Sequence, residues 1–193
     1  MSKITITAKP KFQILDKDDR QYRIYPSGSI WKLVGNDYVE VRPRTHKCGY
    51  LQFGIRNGGR EGRYITYLVH RIVYEAFNPD WDGKGQIDHI NCDKTDNRID
   101  NLRLATHSQN QMNKPKGVNN KSGHKCICAS YDRNQDKWYW LISIKIGNGK
   151  RYQKKWLVGK GRQPDILPEV PLHIIQHRDD KLKELHGDFY NVE

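Results

Sequence analysis

The sequence predicts an α+β protein: antiparallel strands and a ββα unit in the N-terminal part, then a small three-stranded antiparallel sheet packed on one C-terminal helix. Three observations carry this expectation. Segments between Tyr22 and Arg56, and again between Lys137 and Ile146, alternate apolar and polar residues with period two. The stretch "VHRIVYEAF" instead spaces Val69, Ile72, Val73, Ala76 and Phe77 as one face of a helix. Between these patterns lies "IDHINCDKTDNRIDNLRLATHSQN", where Asp, His and Asn crowd a polar loop between short apolar runs.

The elements follow in chain order. "YRIYPSGSIWKLV", "YVEVRPR" and "GYLQFGIRNGG" are strands punctuated by Gly, Pro, Asn and Ser, expected to form one small antiparallel sheet. The helix over Val69–Phe77 is closed by Pro79. Gln86 to Leu104 reads as two short strands around the polar loop. A short helix then starts near Thr106, whose hydroxyl can cap the amides of Ser108 or Gln109. "NKPKGVNNKSG" has linker composition. Beyond it, Trp138, Trp140, Ile142, Ile144 and Ile146 share one strand face, and "GNGKRYQKKWLV" supplies a turn and a partner strand. Leu172, Ile175, Leu182 and Leu185 suggest a final helix closed by Gly187. The expected organisation is an arm over 1–21, a strand-rich segment with the ββα unit over 22–113, a linker over 114–123, and a second module over 124–193.

Composition narrows the function. Of 193 residues, 34 are Lys or Arg and 22 Asp or Glu, a net charge of +12 that points to a polyanionic partner, nucleic acid before membrane. A hydrophobic share of 36% is low, yet eleven tyrosines and five tryptophans allow small aromatic cores. No stretch approaches the roughly 18 apolar residues that would cross a bilayer, and the N-terminal stretch lacks a signal-peptide pattern. A soluble, intracellular protein is therefore expected. Cys48, Cys92, Cys126 and Cys128 form no C-x-x-C pair and read as reduced thiols.

The candidate chemistry lies at Asp88 and His89. A carboxylate offers a hard oxygen to a divalent cation, and imidazole takes a proton from water near neutral pH. Neighbours on a strand point to opposite faces, so both serve one reaction only at a strand end. Asn110, one turn into the following helix, would add a neutral carbonyl oxygen, leaving positions for phosphate oxygens and water, as a magnesium-type site prefers. The competing explanation is that Asn and Asp here are turn formers. His70 reads equally as a packed core residue or a phosphate contact, and Arg71 suits a bidentate phosphate grip. His107, on the same helix side as Asn110, is placed in solvent or in support of the site.

"VHRIVYEAF", "IDHINCDKTDNRIDNLRLAT" and "SQNQ", in that order, resemble the HNH endonucleases of phages, in particular the intron-encoded homing enzymes. The resemblance implies a ββα-metal nuclease in which Asp88 and Asn110 hold one divalent metal, Mg2+ or alternatively Mn2+. It implies further that His89 is the general base and that Asn101 pins the loop by hydrogen bonds. Water deprotonated by His89 would attack phosphorus in line, giving 5′-phosphate and 3′-hydroxyl ends. It also implies an N-terminal DNA-reading sheet, on which Arg42, Arg44, Lys47, Gln52 and Arg56 are the candidate contacts.

Between Gly117 and Arg162 eleven basic residues face two acidic ones, over strands carrying Tyr and Trp. "KSGHKCICASYDRNQDKWYWLISIKI", "KRYQKKWLVG" and "KLKELHGDFYN" resemble the APETALA-type DNA-binding domain, in which three strands read a major groove backed by a helix. Cys126 stands where that family commonly has Gly. Arg151, Lys154 and Lys155 are the best candidate contacts. The expected partner is double-stranded DNA, bound by a monomer or dimer in the cytoplasm of an infected bacterium, with no membrane involved. The rival reading is a non-catalytic, sequence-specific DNA-binding regulator.

Overall fold

The computed structural model describes residues 12–56, 62–147 and 149–190. The chain divides into two units, residues 1–105 and 106–193.

In the first unit, β1 (Gln13–Lys17), β2 (Arg20–Ile24), β3 (Ile30–Val34) and β4 (Asp37–Glu40) form an antiparallel meander. A second antiparallel sheet joins β5 (Arg44–Thr45), β6 (Leu51–Arg56) and β7 (Tyr64–Leu68). The single sheet expected here is thus two. Period-two alternation is the same in either arrangement, so it fixes which residues face inward but not which strands pair. The expected arm over 1–21 is also too long, because Gln13–Lys17 pairs with β2; residues 1–11 lie outside the described residues.

Helix α1 (Val69–Phe77) follows β7 directly and buries Val69, Ile72 and Val73 against Tyr22, Ile24, Phe53 and Ile55. Burying such an aliphatic side chain contributes roughly 1.5–3 kcal/mol. Lys17 of β1 also reaches Glu75 of α1, with Nζ 2.6 Å from Oε1. The helix stops at Asn78, one residue before Pro79. A two-stranded hairpin then pairs β8 (Gln86–His89) with β9 (Leu102–Ala105), placing Asp88 opposite Arg103 and His89 opposite Leu102.

The second unit opens with α2 (His107–Asn113). Its sheet is β10 (Ile127–Asp132), β11 (Lys137–Gly147) and β12 (Lys150–Lys160), in that order and antiparallel. Trp138, Trp140, Ile142 and Ile144 are buried under α3 (Leu172–His186), whose inward residues are Ile174, Arg178 and Leu182. Two expected core residues are exposed instead: Ile146 at 48%, at the register shift between Lys145 and Gly147, and Leu172 at 82%, at the start of the helix. Gly187 closes α3 at φ +55° and donates its N–H to Lys183 O. Among the described residues no helix is long and apolar enough to cross a membrane.

Candidate active site

The site grows out of the β8–β9 hairpin. Ile87, Asp88 and His89 are all buried at the end of β8. Asp88 accepts a hydrogen bond at Oδ2 from Arg103 Nε, 2.9 Å away, across the hairpin. On its other side, the chain leaves β8 through a turn closed by Cys92 N donating to His89 O at 2.9 Å, with Cys92 at φ +63°.

Asn101 holds the two ends of the loop together through hydrogen bonds. Its Oδ1 accepts from Asn91 N at 3.0 Å, and its Nδ2 donates to Asn91 Oδ1 at 2.9 Å and to Asp96 O at 2.7 Å. Ile90 N donates to Asn101 O at 2.9 Å. A buried amide can satisfy this many loop groups because it carries both donors and acceptors. Further out, Asp93 Oδ1 accepts from Thr95 N and Oγ1, and Arg98 grips Asp96 through Nε at 2.9 Å. That hydrogen-bonded guanidinium draws the Asp96 carboxyl down to about 2.

His89 sits in an aromatic recess. The His70 ring meets it edge-on at 5.2 Å between centroids, and the Tyr50 ring lies 5.9 Å away and 4.9 Å from His70. Its Nε2 is 3.1 Å from Asn97 Oδ1, and Asn97 Nδ2 donates to Thr95 O at 3.0 Å. Lys94 Nζ lies 4.8 Å over the Tyr50 ring and donates to Cys48 O. Burial, and after it the neighbouring His89 and Arg71, hold the His70 imidazole down to about 3, so it stays neutral. Burial, with Asp88 nearby, pushes the Tyr50 hydroxyl up.

The hairpin and its loop thus bring Asp88, His89 and Asn101 together. Asn110 stands on α2 in the second unit, its N–H donating to Thr106 O. Thr106 caps that helix reciprocally: Oγ1 accepts from Gln109 N at 3.2 Å, and Gln109 Oε1 accepts from Thr106 N at 2.8 Å. His107 is the first residue of α2. Among the described residues no three His, Cys, Asp or Glu side chains converge as a metal cluster. A buried carboxylate nonetheless offers the hard oxygen that a divalent cation takes.

The basic candidates separate. Arg44 pairs across from Gln52, and Gln52, Gly54 and Arg56 line one face of their sheet with Tyr64. Tyr64 lies over Gly54, where any Cβ would meet its hydroxyl at 2.0 Å, and accepts from Arg44 Nη2 at 3.2 Å. Arg42 and Lys47 are exposed on the flanking loops. Arg71 is committed elsewhere: Nη2 donates to Gly83 O at 2.6 Å, Nη1 to Gly85 O, and the guanidinium stacks 4.7 Å from Trp81. These contacts staple the loop after α1. In the second sheet Arg151 pairs with Lys145 and Lys155 with Leu141 on one face, whereas Lys154 pairs with Ile142 on the other and lies 5.0 Å over Trp156. Lys154 therefore does not share the face of the other two.

Three site residues were missed from the sequence. Arg103 could have been found by pairing the two strands in register opposite Asp88. Tyr50 and Asn97 carried no local signal, because only the fold brings them to His89.

Residues 67–112 match the HNH endonuclease family model. Protein 3.8 of Escherichia phage T7 is 31% identical over 120 residues, covering 62% of this chain and 85% of that protein. The chain belongs to the family of that phage protein and carries an HNH endonuclease domain. The HNH domain so defined runs from β7 through α1 and the hairpin into α2, and contains Asp88, His89, Asn101 and Asn110. HNH nucleases generally depend on a divalent metal. A solved structure of DNA binding and cleavage by the HNH homing endonuclease I-HmuI is 22% identical with a TM-score of 0.42, covering 70% of this chain and 71% of that one.

Proposed function

We propose that the chain is a metal-dependent DNA endonuclease of the phage homing or stand-alone type, acting in the host cytoplasm. The observation that carries this reading is the side-by-side burial of Asp88 and His89 at the end of β8, in a loop pinned by Asn101. A pure DNA-binding protein has no physical need to bury an acid and a base at adjacent positions.

His89 acts as general base and takes a proton from the attacking water. The water oxygen bonds to phosphorus as the bond to O3′ breaks, leaving 5′-phosphate and 3′-hydroxyl ends. Asp88 and Asn110 hold one divalent cation, Mg2+ or Mn2+. That cation, when bound, supplies charge stabilisation at the phosphate and the departing oxygen. Asn101 keeps the loop closed around His89.

The face bearing Arg44, Gln52 and Arg56, with Arg42 and Lys47 on adjoining loops, meets the DNA. The C-terminal unit is an APETALA-type module that presents Arg151 and Lys155. Its three strands and one helix support this, and so does Cys126, which takes φ +63° at the position where that family commonly has Gly.

One feature favours the rival reading of a non-catalytic regulator: Arg103 already engages Asp88, which gives that carboxylate a structural task. Incubating the protein with supercoiled plasmid carrying DNA from around its own gene separates the two. The expected outcome is relaxation or linearisation that needs Mg2+ or Mn2+, is abolished by EDTA and falls at least about 100-fold in His89→Ala. Retarded but uncut DNA in every lane would establish the regulator.

A further inference from the structure

Asn97 is buried, 4% exposed, although it sits in a loop otherwise rich in exposed polar residues. Its amide is oriented by its own neighbours. Nδ2 donates to Thr95 O, so Oδ1 is the atom turned to His89 Nε2. Flipping the amide would set one oxygen against the Thr95 carbonyl with no hydrogen between them. An amide oxygen only accepts, so this contact calls for a hydrogen on His89 Nε2.

The peptide of Asn97 is itself braced. Ile99 N donates to Pro26 O at 2.9 Å, and Gly28, at φ +88°, packs so closely that a Cβ there would lie 2.7 Å from Asn97 O. The turn between β2 and β3 therefore presses on the segment that presents the amide.

Resting on the reading of His89 as general base, we propose that Asn97 is its positioning residue. By accepting from Nε2 it fixes the tautomer in which Nδ1 takes the proton of water, and the Pro26–Gly28 turn holds it in place. When Nδ1 gains that proton, Nε2–H still donates to the same oxygen, so the amide needs no rotation during the step.

The test is long-range 1H–15N NMR of the His89 ring at a pH where it is neutral, without metal or DNA, alongside plasmid cleavage. Wild type is expected to show the Nε2–H form. In Asn97→Ala the ring relaxes from wholly Nε2–H to the tautomer mixture of free histidine, and kcat falls about 10- to 100-fold at unchanged DNA affinity. Asn97→Asp, which keeps the acceptor, retains the Nε2–H form with its proton shifted downfield, and regains part of kcat. An Asn97→Ala ring still wholly Nε2–H, or an Asn97→Asp proton unmoved from wild type, would overturn the proposal. Should Asn97→Ala fail to fold, the Asn97→Asp shift decides alone. Should wild type leave DNA uncut, the ring measurement still judges Asn97, and only the nuclease reading falls.

Discussion

His70 shows how burial decides what one side chain can do. It projects from α1 into the recess it shares with Tyr50 and His89, where burial, and after it His89 and Arg71, disfavour an imidazolium. An unfolded chain takes up a proton on this residue below its ordinary pKa near 6.5, but the folded chain resists until about 3. Stability carried by the neutral ring is thus complete above about pH 6.5 and is lost progressively as pH falls towards 3. Between pH 7 and pH 5 the loss from this residue is about 2 kcal/mol. Urea unfolding of His70→Phe, which keeps an aromatic ring in the recess, should show a pH dependence flatter by that amount; parallel curves would mean that His70 titrates normally. The sequence left His70 between core and phosphate contact. Periodicity places a residue on the inner face of a helix but cannot say that a second histidine and a tyrosine wait there.

Helix α2 shows what an element needs when it is too short to stand by propensity. Seven residues close few intrahelical hydrogen bonds, and nucleation is costly, so the ends matter disproportionately. The reciprocal cap between Thr106 and Gln109 satisfies two backbone donors at once. Thr106→Ala should cost about 1 kcal/mol, read as a lower Tm, and, on the proposal that Asn110 holds the metal, raise the Mg2+ concentration for half-maximal cleavage, because Asn110 rides on this helix. Thr106→Ser should restore both; normal Mg2+ dependence in Thr106→Ala would detach Asn110 from metal binding. This helix, the β8–β9 hairpin and α1 were all legible in the sequence, since caps, apolar spacing and a proline stop are local signals. The split of the N-terminal strands into two sheets was not, and neither was β1. "QILDK" is too polar to advertise a strand, and its pairing with "RQYRI" is a choice of partner that no single segment encodes. The candidate loop divides the same way: Asp88 and His89 stand out by type and adjacency and Asn101 through the family resemblance, whereas Asn97 reaches His89 only through the path the folded loop takes.

On the proposed DNA-binding reading, the net charge of +12 acts face by face rather than as a sum. In the C-terminal sheet, alternation gives Arg151, Gln153 and Lys155 one face of β12, in register with Lys145, Ser143 and Leu141 of β11. Arg151 Nη1 donates to Ser143 Oγ, and Lys155 lies over the Tyr139 ring, so both cations are held on the face of the sheet away from α3. Lys154 belongs to the opposite face, with Tyr152 and Trp156 and beside His177 of α3. Each phosphate contact releases counterions and adds about 0.9 to the slope of log affinity against log salt. Removing Arg151 and Lys155 together should therefore lower that slope by about 1.8, while Lys154→Ala should leave it unchanged. Fluorescence anisotropy with duplex DNA over a series of NaCl concentrations, in EDTA so that no strand is cut, measures all three proteins on one scale. A loss of slope in Lys154→Ala with none in the double variant would put the DNA on the helix side of the sheet, and with it would fall the expectation that this unit meets a groove with its strands.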